Sequence, residues 1–195
     1  MNYLAHFHLS AGSAETLVGS FLGDFVKGPL SAGRFPPRVQ AAIALHRQVD
    51  AFVDAHPAVV RSRARFAPGF RRYAGVLLDL FYDHFLARDW QTHGDEPLAR
   101  FTDRAYRALD RHRALLPPGA RRVSRAMTCQ DWLGGYAHPD GVRRALRGIS
   151  TRLSRVNPLA RGHVELAREY RALEADFRQL MPELRDFVQR RVREG

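Results

Sequence analysis

The segment Leu77-Leu78-Asp79-Leu80-Phe81-Tyr82-Asp83-His84-Phe85-Leu86 sets two carboxylates in a stretch that is otherwise almost wholly apolar. A helix that is apolar nearly all round is a buried helix. Asp79 and Asp83 stand at i and i+4, which puts both on one face. Two like charges there repel, and burying either one unpaired costs several kcal/mol. An arginine, a shared proton or a metal cation must neutralise them. His84 lies about 100° further round the same helix, within reach of the same place. A second stripe, His46, Asp50 and Asp54, runs at i, i+4 and i+8 beside the apolar residues Val49, Phe52 and Val53. Imidazole and carboxylate one turn apart project the same way and can chelate a divalent ion. The plainer alternative is a polar helix edge with His46 bonded to Asp50. Arg47 adjoins the stripe and suits an anion, whereas His56, just before Pro57, reads as a helix-end cap.

A third element is Gly23-Asp24-Phe25-Val26-Lys27-Gly28. Asp24 stands next to the apolar face of its helix, and Lys27 is a compact charge suited to a phosphate. An ordinary helix end with solvated charges would look the same. His6 and His8 point to nearly opposite sides of a helix, so one of them is expected to face a site formed by these segments. Acidic and His-bearing segments on facing helices are how helical folds build divalent metal sites. Carboxylates outnumber imidazoles, and Cys129 is the single cysteine. That donor set favours Mn²⁺ or Mg²⁺ over structural zinc. Such an ion lowers the pKa of bound water and stabilises charge on a phosphoryl oxygen. Cys129 has no histidine nearby in sequence to activate it as a nucleophile. No phosphate-cradling Gly-rich loop, dinucleotide fingerprint or nucleophile elbow is present.

The elements that must position these groups are helical throughout. Leu17, Val18, Phe21, Leu22 and Phe25 trace one helix face, which Gly28-Pro29 ends. Further helices are predicted over 38–55, 71–90, 97–114, 120–134, 139–154 and 158–190, the last interrupted at Pro182. The expected fold is a single all-α domain over residues 1–195, a helical bundle. Residues 1–99 form its metal-binding and catalytic half, and residues 100–195 a basic half. The net charge of +11 is concentrated accordingly. Nine Arg, Lys27 and nine acids give the first half +1, while 21 Arg and 11 acids give the second +10. Such asymmetry points to an acidic partner. A hydrophobic content of 45% supports a packed core and excludes a disordered chain. No segment is apolar for long enough to span a bilayer. The first residues lack the pattern of a signal peptide, and the lone cysteine fits a reducing compartment, so a cytoplasmic location is expected.

Taken together, these segments resemble the acyl carrier protein phosphodiesterases, also called holo-acyl-carrier-protein hydrolases. The likeness is carried by MNYLAHFHLS at the start, GSFLGDFVKG at 19–28, LHRQVDAFVDAHP at 45–57 and RRYAGVLLDLFYDHFLARDW at 71–90. It continues more faintly through Asp131-Trp132-Leu133 and the C-terminal helices. The resemblance implies a helical fold related to the HD-type metal phosphohydrolases, with Mn²⁺ as the preferred ion. It also implies hydrolysis of holo-acyl carrier protein to the apo form and 4′-phosphopantetheine. Carried over residue by residue, it places Asp24, His46, Asp50, Asp79, Asp83 and His84 around metal and phosphate. Asp24, Asp79, Asp83, His84 and His6 are then the expected ligands. Asp50 or His46 would handle the water proton, and Lys27 and Arg47 would offset phosphate charge. One departure stands out: the dipeptide His-Asp occurs nowhere in the sequence, and Asp83-His84 has the reverse order.

The rival readings are a metal phosphohydrolase acting on nucleotides or small phosphodiesters, and a non-enzymatic nucleic-acid-binding protein. The second rests on charge alone. It is weakened because the C-terminal arginines are interspersed with acids, as in Arg168-Glu169 and Leu184-Arg185-Asp186, the pattern of a solvated helix face. The resemblance makes an acidic acyl carrier protein the expected partner, and neither a membrane nor nucleic acid is expected.

Overall fold

A computed structural model describes residues 1–31 and 33–194. Among the described residues ten α-helices follow one another: α1 (Tyr3–Leu9), α2 (Ala14–Leu22), α3 (Pro37–Ala55), α4 (Pro57–Arg65), α5 (Ala74–Arg88), α6 (Leu98–Arg111), α7 (Pro118–Cys129), α8 (Trp132–Gly135), α9 (Pro139–Arg152) and α10 (His163–Glu194). There is no strand among the described residues, so the fold is all-α as the periodicity predicts. No described helix is long and apolar enough to cross a membrane.

Local chemistry sets most boundaries. Ser13 caps α2 reciprocally with Thr16, satisfying amide donors that a helix start leaves free. Proline opens α3, α4, α7 and α9, where a missing N–H loses no hydrogen bond. Along α3, Val39, Ile43, His46, Val49 and Val53 are buried, the period of one helix face. α5 is buried from Leu80 to Ala87 without a break. Leu4, Phe7, Leu17, Phe21, Ile43, Leu77, Phe81 and Phe177 belong to one contiguous apolar core.

Several boundaries depart from expectation, the first being that α2 ends at Leu22 and not at Gly28-Pro29. The predicted helix over 71–90 begins at Ala74, after a 3₁₀ turn over Pro68–Tyr73. α4 was not anticipated, because its arginines mask the burial of Ala58, Val59 and Ser62. The predicted helix over 120–134 divides at Asp131, whose φ is +42° and whose side chain accepts from the Gly134 amide and from the Tyr106 hydroxyl. α10 in turn runs unbroken through Pro182. Proline removes one helical hydrogen bond, but Leu180, Met181, Leu184 and Val188 are buried on both sides of it, and that packing holds the helix together.

Candidate metal centre

α5 and α3 deliver the acidic residues, and α1 lies across them. Asp50 of α3 is the hub. Its Oδ1 lies 3.1 Å from His6 Nε2 and its Oδ2 lies 3.2 Å from His46 Nε2. His46 Nε2 is also 3.6 Å from Oδ1 of Asp24, just beyond the end of α2. The two imidazoles stack, with centroids 3.8 Å apart and planes 19° from parallel. Asp79 of α5 accepts from the amine of Met1 at 3.0 Å, and the same amine is 3.9 Å from Asp50. Four stretches of chain thus bring Asp24, His6, His46, Asp50 and Asp79 together.

The electrostatics of the two histidines differ. Burial disfavours the charged form of both. For His6 burial prevails and its pKa falls to about 4. For His46 the burial effect is overcome by hydrogen bonding to Asp24 and Asp50, and its pKa rises to about 9. Burial would raise the pKa of Asp50, but its bonds to His46 and His6 hold it well below the usual carboxylate range. Asp24 is lowered too, as the contact with His46 outweighs its own burial.

The donors suit a divalent cation. One ligand atom from each of His6, His46 and Asp50 falls within 4.8 Å of the others. Asp24 adds an oxygen 3.6 Å from His46, and Asp79 is joined to Asp50 through the Met1 amine that lies between them. These are nitrogen and oxygen donors without thiolate, types that bind divalent ions.

Gly23 makes the approach of His46 possible. A Cβ at that position would sit 2.2 Å from His46 Cγ. Gly23→Ala has ordinary helical backbone angles to adopt, so the fold is expected to survive while the imidazole is forced aside. A displacement of about 1 Å at a reacting centre costs about 10²-fold in rate. A circular-dichroism melt alongside turnover checks this: the expected result is a retained transition with that loss of activity.

Other residues singled out from sequence stand elsewhere. Both Asp83 oxygens are taken by α1, accepting from the amides of Leu4 at 2.8 Å and Ala5 at 3.1 Å. Burial foremost pushes its carboxyl up to about 7. Its geometry is that of an anchor for α1, which corrects the expectation of a metal ligand. His84 is corrected likewise. Its Nδ1 is 2.8 Å from the Tyr136 carbonyl and its Nε2 is 2.8 Å from the Tyr170 hydroxyl, so both nitrogens are engaged away from the cluster. Arg47 donates to the Val26 carbonyl at 2.7 Å, bracing the segment that follows Asp24, and Lys27 is exposed. Asp54 continues the stripe only in sequence, since it pairs with Arg63 at 2.5 Å. His56 caps α4 and meets Glu183. His8 faces Arg185 and Trp90. The Met1 amine was missed, because a chain terminus takes part in no spacing pattern.

The sequence model of the acyl carrier protein phosphodiesterases matches residues 1–184. The chain belongs to this family. Proteins named acyl carrier protein phosphodiesterase are similar to it along nearly their whole length. One from Serratia proteamaculans (strain 568) is 38% identical over 187 residues, covering 94% of this chain and 95% of the relative. One from Escherichia coli O6:H1 is 35% identical over 196 residues, covering 98% and 100%. A third, from Escherichia coli O157:H7, is 35% identical over 185 residues, covering 94% and 95%. No solved structure matches. Every residue of the Asp24–His6–His46–Asp50–Asp79 cluster falls within the part matched by the acyl carrier protein phosphodiesterase family.

Proposed function

We propose that this chain is a metal-dependent phosphodiesterase that hydrolyses holo-acyl carrier protein to apo-acyl carrier protein and 4′-phosphopantetheine. One observation carries the reading. Three carboxylates and two imidazoles converge from separate elements in a chain that matches, nearly throughout, a family named for this activity. His6, His46 and Asp50 would hold Mn²⁺ or Mg²⁺, which requires His46 to give up the proton that Asp24 and Asp50 hold on it. When bound there, the ion would acidify a water and stabilise charge on the phosphoryl oxygens.

The protein's own groups do the rest. Asp50 fixes both imidazoles at once, which favours a holding role for Asp50 and His46 over that of base. Asp24 is half-exposed beside them and is placed to orient the attacking water and take its proton. Water adds to phosphorus as the bond to the carrier's serine oxygen breaks, and the serine leaves with a proton from solvent or a neighbouring acid. Lys27, three residues from Asp24, offsets charge on the non-bridging oxygens. Arg47 supports Asp24 indirectly through its bond to Val26.

The basic second half suits an acidic carrier. Arg122 and Arg125 on α7, and Arg147 on α9, are exposed and have no acidic partner among the described residues. Charges so placed chiefly speed and steer encounter. Reversing all three to Glu is expected to lower kcat/KM for the carrier about 10- to 10³-fold at low salt, with much less effect on a small diester. Stopped-flow association at two ionic strengths checks it.

The test of the whole reading is mass spectrometry of holo-acyl carrier protein incubated with the protein and Mn²⁺. The expected product is the carrier lighter by one 4′-phosphopantetheine group, and none forms after chelation. Intact carrier with hydrolysed nucleotide or small diester would replace this reading with the more general phosphohydrolase.

A further inference from the structure

A cavity of about 380 Å³ opens between the start of α1, the α7–α8 corner and α9. Tyr3, Trp132, Tyr136 and Ile149 give it apolar walls, and Asp131, Arg144 and Arg152 are its charged lining residues. Arg152 lies over the Trp132 ring at 5.3 Å. Neither arginine has an acidic partner among the described residues.

The cavity adjoins the metal-centre cluster. Asn2 and Tyr3 line it, and the residue before them puts its amine 3.0 Å from Asp79. Successive Cα atoms are about 3.8 Å apart, so residues 1–3 border both the cluster, through the Met1 amine, and the cavity, through Asn2 and Tyr3. Asn2 donates to the Tyr136 hydroxyl at 3.4 Å, joining two residues of the cavity lining. The charges agree with this placement. Burial first, and then Asp24, raise the Tyr3 phenol, while Arg152 opposes them. Tyr3 thus feels a carboxylate of the cluster and a guanidinium of the cavity together. Tyr136 is raised by burial and then by Asp83.

We propose that this cavity receives the pantetheine arm of the carrier while the phosphodiester lies at Asp24, His46 and Asp50. The inference rests on the function proposed above and adds where the non-reacting part of the substrate binds. The arm alternates short methylene runs with amides and ends in a thiol. It therefore needs apolar walls interrupted by donors and acceptors, and that is the lining found here. The volume falls within the range of about 300–1,000 Å³ typical of small-molecule sites. The unpartnered guanidiniums supply N–H donors for the amide carbonyls, and the Tyr3, Trp132 and Tyr136 rings cover the methylenes.

Gly148 lines the cavity on α9, and a Cβ added there meets nothing within 4 Å. Gly148→Phe is therefore expected to fill the space without disturbing the backbone. It should lower kcat/KM for holo-acyl carrier protein by about tenfold or more, the loss of binding energy from a part of the substrate that does not react. Hydrolysis of bis(4-nitrophenyl) phosphate should be unchanged, and Gly148→Ala should leave both activities intact. A second measurement needs no variant. The chain has two tryptophans; Trp90 is 4% exposed and Trp132 lines the cavity. Titration with 4′-phosphopantetheine should shift the emission of the parent protein and leave that of Trp132→Phe unchanged. Full carrier turnover by a folded Gly148→Phe, or an emission that does not respond in the parent, overturns the assignment of the cavity and leaves the proposed function standing. A parent protein that leaves holo-carrier intact overturns both.

Discussion

Asp50→Asn is expected to lower Mn²⁺-supported release of 4′-phosphopantetheine by about 10²–10³-fold, the scale seen when one fixed electrostatic contact is removed from a reacting centre. Asp50 touches both imidazoles, one through each oxygen. An amide has a single oxygen to accept with, so its NH₂ must face one of the two rings as a competing donor. The loss of charge also releases His46, whose pKa is held at about 9 against burial by Asp24 and Asp50. The side chain is 43% exposed and the amide is isosteric, so the melting temperature should move little. Asp54→Asn, one turn further along the same stripe, is the control. Asp54 pairs with Arg63, and its loss should leave turnover unchanged. Turnover measured across a Mn²⁺ titration checks both variants. Full activity of Asp50→Asn at an unaltered Mn²⁺ requirement would remove this cluster from the reaction.

The contrast between Asp50 and Asp54 also shows what spacing can and cannot reveal. Periodicity made the helical class legible, because buried positions such as Val39, Ile43, Val49 and Val53 recur at the helical repeat. Periodicity likewise put His46 and Asp50 on one face, and they are 3.2 Å apart. It could not say how far along the stripe the site extends. That depends on where α1 crosses α3, and so on tertiary packing. The same limit explains His84. A histidine beside two aspartates in a buried helix looks like a ligand, but its direction is set by Tyr136 and Tyr170, more than fifty residues away in sequence. Gly23 carried a readable mark, since a glycine beside a candidate acid signals close approach, but the partner, His46, is visible only in the fold. Pro182 read as a break because local propensity was the only guide there, and burial on both sides of it overrides that propensity.

Asp83→Ala is expected to destabilise the protein by about 2–6 kcal/mol, since each buried amide left unsatisfied costs about 1–3 kcal/mol. Asn2, at the head of α1, makes no capping bond. The amides of Leu4 and Ala5 are among the donors that a helix start leaves free, and Asp83 accepts both from the neighbouring helix. A carboxyl there also opposes the positive end of the helix dipole. At about 2–4 °C per kcal/mol for a chain of this size, the melting temperature should fall by roughly 10 °C. Asp83→Asn keeps one acceptor and should fall between the two. Metal-free protein is the informative background. A residue that served only as a ligand would be a buried charge near Asp79, and its removal would then stabilise the chelated protein. A residue that anchors α1 predicts the opposite. The pH profile gives a second check. The carboxyl is raised to about 7 in the fold from about 3.9 in the unfolded chain, so folding takes up a proton between those values. Its contribution to stability is complete below about pH 4 and is lost as pH rises through about 7. In Asp83→Asn that decline should disappear from the melting curve of the chelated protein. Because α1 carries His6 and follows directly on the Met1 amine, activity in Asp83→Ala should fall together with the melting transition. An Asp83→Ala protein as stable as the parent at every pH would show that α1 is held by something else.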